Sequence, residues 1–158
     1  MIVVSNTSPL NYLILIDLAG ILQDLYDSVI IPQAVFNELQ SADAPPEVRA
    51  WIADLPGWIE VRQTKTALKE LRLGAGEREA IALAVELKAD VLLVDDRKAR
   101  EEARKRGLSV TGSLAIVVTA ARRGLVDLST TLTQLQQIGF RASPQLIQTI
   151  MDQERKGR

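Results

Sequence analysis

Short apolar runs alternate with longer amphipathic segments along the chain. The runs lack polar alternation, as expected of strands buried on both faces of a parallel sheet, and the longer segments have helical spacing. The predicted strands are residues 2–4, 29–31, 58–61, 91–94 and 108–110. The predicted helices are residues 8–14, 21–26, 32–39, 45–55, 66–73, 77–88, 97–106, 113–123, 128–137 and 144–154. Strands alternating with helices predict an α/β fold with right-handed crossovers and helices on both faces of a parallel sheet.

The length and composition predict one domain. The chain has 158 residues, of which 47% are hydrophobic, which is enough for one substantial core. No repeat or linker interrupts it, so we expect a single domain over residues 1–158 with a helical extension at about 128–155. The opening Met-Ile-Val-Val-Ser lacks a basic region followed by a long apolar stretch. We therefore expect no signal peptide, no membrane association and a cytoplasmic location.

Cysteine and histidine are both absent from the chain. This excludes disulfides, zinc sites built from thiolate or imidazole, Cys or Ser-His nucleophile systems and histidine acid–base catalysis. Any chemistry must use carboxylates, hydroxyls, amides, lysines or arginines.

Features that could contact nucleic acid each have a second explanation. The net charge of −1 argues against a general DNA coat protein but says little about an enzyme that binds only a few phosphates. Basic residues crowd residues 97–106, where Glu101 and Glu102 interrupt them. This pattern fits a solvated helix face with ion pairs or a phosphate contact. The apolar neighbours of Trp51 and Trp58 favour core or rim positions over platforms for base stacking.

Polar and acidic residues follow the predicted strands. Asn6 follows the first strand and Asp95-Asp96 the fourth, while Glu38 and Glu77 lie on neighbouring helices. The carboxyl ends of parallel strands share one edge, where ligands bind in such folds. A site with oxygen ligands alone suits Mg²⁺ or Mn²⁺, and divalent cations can drive phosphodiester hydrolysis. The chain therefore reads as a candidate metal-dependent phosphodiester enzyme.

Each of these residues also has a purely structural explanation. Asp95 and Asp96 could cap the following helix and supply an acid to its start, and Glu77 would be favoured by the helix dipole in a first turn. Glu38 could be an ordinary exposed helix glutamate, and Asn6 a turn or capping residue. Both explanations stay open, since one residue can cap a helix and also bind a cation.

Five segments resemble, in order, the motifs of PIN-domain proteins. They are residues 3–10 (Val-Val-Ser-Asn-Thr-Ser-Pro-Leu), 29–39, 74–84 (Gly-Ala-Gly-Glu-Arg-Glu-Ala-Ile-Ala-Leu-Ala), 92–100 and 139–144. They look most like a prokaryotic branch, DUF3368, related to VapC-type toxins. The resemblance covers nearly the whole chain.

The resemblance implies a three-layer α/β/α sandwich with a central parallel sheet. It also implies a Mg²⁺- or Mn²⁺-dependent endoribonuclease that hydrolyses single-stranded RNA with metal-activated water. Such proteins are frequently homodimers, and the toxins among them bind a cognate antitoxin. Carried over by position, the catalytic and metal-binding set is Asn6, Glu38, Glu77 and Asp96, with Asp95 as an additional metal ligand.

Two positions depart from the pattern that the resemblance implies. Asn6 stands where PIN nucleases usually have aspartate, which removes a negative charge, and a further acid often found past Asp96 falls near Ala99. A PIN-like module that binds RNA or protein without catalysis is therefore an alternative. A phosphoacceptor receiver domain is a weaker one, because the chain lacks an acidic pair after the first strand and a lysine after the last.

Overall fold

The computed structural model describes residues 1–156, in which five parallel strands form one sheet. The strands are β1 (Val3–Ser5), β2 (Val29–Pro32), β3 (Ile59–Arg62), β4 (Val91–Leu93) and β5 (Val110–Thr111). Their order across the sheet is β3-β2-β1-β4-β5, and each neighbouring pair is parallel. Helices flank the sheet, which confirms the predicted parallel α/β fold.

The strand order reverses at the centre of the sheet. β1 pairs with β2 on one side, where Val4 aligns with Ile30, and with β4 on the other, where Ser5 aligns with Leu93. The connections on the two sides of this point run in opposite directions, which leaves a crevice outside the carboxyl ends of β1 and β4. In such sheets the crevice is the usual place for a ligand.

The helices follow the predicted pattern closely. They are α1 (Thr7–Leu15), α2 (Ile21–Tyr26), α3 (Gln33–Leu39), α4 (Pro46–Ala53), α5 (Ala75–Leu87), α6 (Arg97–Lys105), α7 (Ser113–Arg122), α8 (Leu128–Gln137) and α9 (Pro144–Lys156). No helix within residues 1–156 combines the length and the apolar character needed to cross a membrane.

The predicted helix over 66–73 was wrong, because the preceding backbone is bound by a distant side chain. The Thr64 hydroxyl and the N–H groups of Lys65 and Thr66 donate to Glu86 Oε1, at 2.6, 2.8 and 2.6 Å. Only a turn forms further on, where Leu71 N donates to Leu68 O at 3.1 Å. The segment is thus fastened to α5 as an irregular connection.

The core around the sheet comes from strands with no exposed face and from α5. Val4 and Leu92 are fully buried at the centre, and Ile81 and Leu83 of α5 are equally buried. Small α5 residues such as Ala80, also fully buried, let the helix approach the strands closely. The start of α5 is thereby held in place beside β1 and β4.

The described chain divides into two compact units. The first, Met1–Ser113, holds the sheet and α1 to α6. The second begins at Leu114 and contains nearly all of α7 together with α8 and α9. Within it, Arg122 of α7 pairs with Glu154 of α9 at 2.7 Å. Both helices predicted for the C-terminal extension are present, while the last two residues of the predicted domain lie outside the described residues.

Candidate active site at the carboxyl edge of the sheet

Asn6 stands at the end of β1 with an unsatisfied side-chain oxygen. Its backbone N–H donates to Leu93 O at 2.9 Å, which continues the β1–β4 pairing. The residue is 4% exposed, and its Oδ1 has no hydrogen-bond partner among the described residues. It occupies the N-cap position of α1 without capping it through its side chain. A buried carbonyl left unpaired costs roughly 1–3 kcal/mol, so this oxygen calls for a partner.

Glu77 and Asp96 are brought together from two elements. Glu77 lies in the first turn of α5, and Asp96 precedes α6, where its Oδ2 accepts from Ala99 N at 2.9 Å. Burial, the charge of Asp96, a side-chain hydrogen bond with Asp96 and the charge of Glu38 raise the pKa of Glu77 to about 7. The raised pKa means that Glu77 holds its proton more readily than a free glutamate, and a cation close to it would favour loss of that proton.

Glu38 is held beside this pair by a hydroxyl and a backbone amide. Its Oε2 accepts from the Thr7 hydroxyl, and its Oε1 accepts from Gly76 N at 3.1 Å. A Cβ atom on Gly76 would lie 2.7 Å from both carboxylate oxygens, so only glycine leaves room for this contact. Glu38 is therefore fixed between α1 and α5 and is no ordinary surface glutamate.

Sequence reasoning missed the role of Gly76. The sequence analysis assigns Gly76 only to the motif over residues 74–84, whereas the structure shows it buried in the first turn of α5. Its N–H is one of those that a helix start leaves unpaired, which makes it a natural donor to a carboxylate. The only available signal was the adjacency of a glycine to Glu77.

Asp95 has a separate set of partners. Its two oxygens accept from Ser113 N at 2.7 Å and from Ser113 Oγ at 2.6 Å. Burial raises the pKa of Asp95, although the bonds from Ser113 and the charge of Arg100 act in the opposite direction. The structure thus brings Glu38, Glu77 and Asp96 together and engages Asp95 with Ser113.

A family model described as a PIN domain, DUF3368, matches residues 2–156. The chain belongs to this family. PIN domains are generally nucleases, are typically dependent on divalent cations and are associated with RNA binding. The match confirms the resemblance inferred from the ordered motifs.

A solved structure shares the PIN fold. It is a PilT N-terminus domain protein from the hyperthermophilic archaeon Sulfolobus solfataricus P2, with a TM-score of 0.53 and 18% sequence identity, covering 84% of this chain and 94% of that chain. This degree of identity supports the fold alone. No curated protein matches the chain significantly.

The donor set of this PIN domain fits a hard cation in its chemistry. Asn6 offers a buried carbonyl oxygen without a partner among the described residues, and Asp96 and deprotonated Glu77 offer carboxylate oxygens. Within residues 1–156, no group of three acidic side chains already stands in the arrangement of a metal cage. A cation at this edge would therefore rely on the neutral Asn6 oxygen or on a shift of the carboxylates.

Three of the six basic side chains in residues 97–106 are ion-paired along the helix. Arg97 pairs with Glu101 at 3.3 Å, and Glu102 pairs with Lys105 at 3.1 Å and with Arg106 at 3.0 Å. These contacts support the explanation of an ion-paired helix face for Arg97, Lys105 and Arg106, and they do not test a phosphate contact by the other three basic residues.

Proposed function

We propose that this PIN domain is a Mg²⁺- or Mn²⁺-dependent endoribonuclease that hydrolyses single-stranded RNA. Asn6, Glu38, Glu77 and Asp96 are the residues that would hold the cation. The observation that carries the proposal is the hydrogen-bonded Glu77–Asp96 pair beside Glu38, at the point where the strand order reverses. Asp95 is the member of the expected set that the structure supports least as a ligand, because it bonds Ser113 and, unlike Glu38 and Asp96, is not among the charges that act on Glu77.

The residues of the chain have distinct tasks in this proposal. When bound, a divalent cation supplies positive charge to phosphate oxygens and lowers the pKa of an attacking water. Asp96 and deprotonated Glu77 would supply carboxylate oxygens to the cation, and Asn6 would contribute its unpaired carbonyl oxygen. The Thr7 hydroxyl and Gly76 N–H keep Glu38 oriented, so its charge stays beside the pair.

The decisive variant is Asp96→Asn. Asparagine caps a helix about as well as aspartate, so α6 keeps its start while the acidic pair loses one charge. We expect the purified protein to cleave an unstructured RNA with Mg²⁺ or Mn²⁺, and the variant to lose about 100-fold or more of this activity. Glu101→Gln, an exposed change on the same helix, should keep full activity. Cleavage without a divalent cation, or an active Asp96→Asn variant, contradicts the proposal.

We further propose a biological role as the toxin of a toxin–antitoxin pair, acting in the cytoplasm as a homodimer. The ordered motifs similar to those of VapC-type toxins support this role. Induced expression should arrest bacterial growth, and Asp96→Asn should not. Growth arrest of equal strength by both proteins would separate toxicity from RNA cleavage.

A second candidate function is a PIN-like module that binds RNA or protein without cleaving. It is favoured by Asn6 in place of aspartate and by the buried Ala99 where a further acid often stands. Calorimetry with Mn²⁺ distinguishes the two functions. Uptake at one site that disappears in Asp96→Asn supports the nuclease, and no uptake by the unmodified protein supports the module.

A further inference from the structure

A pocket of about 340 Å³ lies at the amino-terminal edge of the sheet. It is lined by Gly20, Ala50, Trp51, Asp54, Pro56 and Trp58. Trp58 directly precedes β3, and its carbonyl oxygen accepts from Val29 N, the first residue of β2, at 2.9 Å. The candidate active site follows the carboxyl ends of the strands, so the two features stand at opposite edges.

Two indole rings form a corner in this pocket. The ring centroids of Trp51 and Trp58 are 5.9 Å apart, and the planes meet at 64°. Both residues remain partly exposed. Indole faces attract flat apolar groups and cations, and an arginine guanidinium is flat, cationic and weakly hydrated.

The charge around the pocket selects a cation. Asp54 contributes a carboxylate that has no ion-pair partner within residues 1–156. Among residues 1–156, no lysine or arginine lines the pocket. A nucleic acid would bring phosphates to an acidic surface without a cation to receive them, so stacking of RNA bases is disfavoured here.

The stretch of sequence that supplies the pocket residues is acidic, although one of its acids, Glu38, lies at the opposite edge of the sheet. Residues 1–58 contain seven acidic side chains and a single basic one, Arg49, for a net charge of −6. The Nε of Arg49 donates to Ala44 O at 3.2 Å, just before the start of α4, whereas Asp54 follows the end of that helix. The acids are Asp17, Asp24, Asp27, Glu38, Asp43, Glu47 and Asp54.

We propose that the Trp51–Trp58 pocket binds an arginine side chain presented by a peptide segment of another protein. A cation–π contact is worth about 0.5–2 kcal/mol, so one arginine cannot sustain a complex by itself. The pocket would therefore anchor a longer basic segment, whose other cations would pair with exposed acids of the same stretch of sequence, such as Glu47 on α4. This interaction is independent of RNA cleavage.

The two tryptophans serve as intrinsic spectroscopic reporters for this test. Trp51 and Trp58 are its only tryptophans, so the two indole N–H signals in NMR and the tryptophan fluorescence report on the pocket alone. The probes are nine-residue peptides in which two lysines stand on each side of a central arginine, citrulline, lysine or glutamate, together with a short oligouridylate. The flanking cations are the same in every peptide, so only the central residue tests the pocket. Citrulline keeps the shape of arginine but removes its charge.

We expect the arginine peptide to shift both indole signals in a saturable manner. The citrulline peptide should bind at least about fivefold more weakly, because the charge contributes roughly 1 kcal/mol. Asp54→Asn should weaken arginine binding by a similar factor. Glu47→Gln removes one charge from the same helix outside the pocket and should change the affinity by less than about twofold.

Several outcomes would overturn the proposal. These are the absence of saturable binding at millimolar arginine peptide, equal binding of the citrulline peptide, and equal losses in Asp54→Asn and Glu47→Gln. Saturation of the indole signals by oligouridylate in preference to the arginine peptide would assign the pocket to nucleic acid instead. Asp54 is exposed and follows α4, so its substitution leaves the core intact.

Discussion

At the scale of single residues, Asn6 sets the charge of the candidate active site. Its carbonyl oxygen is buried and unpaired, and a carboxylate there would add a negative charge beside Glu77 and Asp96. We expect Asn6→Asp to tighten Mn²⁺ binding by about tenfold, because added ligand charge strengthens such sites. Its RNA cleavage should be equal to or higher than that of the unmodified protein. Calorimetry measures the Mn²⁺ affinity, and weaker binding in the variant would show that Asn6 does not contribute to the cation site.

The raised pKa of Glu77 predicts that the stability of the cation-free protein depends on pH. Its pKa rises from 4.5 to about 7 in the fold, so the folded state binds more protons than the unfolded state between these values. Stability should therefore be highest below about pH 4.5 and should fall as the pH rises towards 7, as far as this group determines it. Glu77→Gln should flatten this fall. Thermal unfolding at several pH values measures both proteins, and identical slopes would show that the carboxyl pair is not coupled.

Replacing Gly76 with alanine should cause a steric effect that is confined to the candidate active site. In Gly76→Ala the new Cβ would meet both Glu38 oxygens at 2.7 Å, so Glu38 must move. Alanine favours the helix by up to about 1 kcal/mol, and the variant should stay folded while Mn²⁺ affinity falls by about tenfold or more.

Gly74→Ala is the matched control for this change. Its Cβ would lie 3.5 Å from Glu77 Oε1, which is an ordinary contact, and its backbone adopts a conformation that alanine accepts. We expect its Mn²⁺ affinity to stay within about twofold of the unmodified protein. Equal losses in the two variants would point to a general need for flexibility before α5 in place of the proposed contact with Glu38.

At the scale of elements, Glu86 fastens the irregular segment before α5. Desolvation raises the pKa of Glu86, but hydrogen bonds from Thr64, Thr66 and Lys65 outweigh it and lower that pKa. Glu86→Gln should destabilise the protein by about 1 kcal/mol near pH 7, with the value discounted for the exposure of the group.

The pH dependence of this loss follows from the lowered pKa. A depressed carboxyl pKa stabilises the fold above the unfolded value, and this contribution is lost as the pH falls through the folded value. The difference between the two proteins should therefore shrink below about pH 4. Urea unfolding at pH 7 and pH 3.5 measures it, with Glu101→Gln on α6 as an exposed control. A difference that stays constant with pH would exclude the carboxylate as its origin.

The same contact explains where prediction of the elements failed. Apolar runs identified β1 and β4 because they are too short for a helix, are rich in valine and leucine or isoleucine, and end at polar turn residues. Residues 66–73 have helical spacing, but their start is bound by a carboxylate 20 residues further along the chain. No local sequence pattern indicates that contact, so the spacing of apolar residues alone predicts a helix at residues 66–73.

The sequence predicts the location of the candidate active site but not the partners of its side chains. Residues after strand ends converge by topology, so Asn6 and Asp96 could be placed at one edge before the structure was known. The partners of each carboxylate could not be placed, because they depend on contacts between distant elements. Asp95 and Asp96 are adjacent, yet one bonds Ser113 and the other bonds Glu77.

At the scale of the whole molecule, the sheet separates two surfaces of different chemistry. The carboxyl edge gathers Glu38, Glu77 and Asp96, while the amino edge carries the Trp51–Trp58 pocket. The four residues of β2 span about 13 Å, which exceeds the Debye length of about 8 Å at physiological ionic strength. A cation bound at one edge should therefore have little electrostatic effect on a ligand at the other.

This separation predicts that occupancy of the pocket leaves the candidate active site unchanged. With saturating arginine peptide, Mn²⁺ affinity and the rate of RNA cleavage should each stay within about twofold of their values without peptide. Asp54→Asn should cleave RNA normally for the same reason. Calorimetry and cleavage assays at about 150 mM salt test both statements. A change in Mn²⁺ affinity above about fivefold would reveal a coupling free energy near 1 kcal/mol, and by reciprocity Mn²⁺ would then alter peptide binding by the same factor.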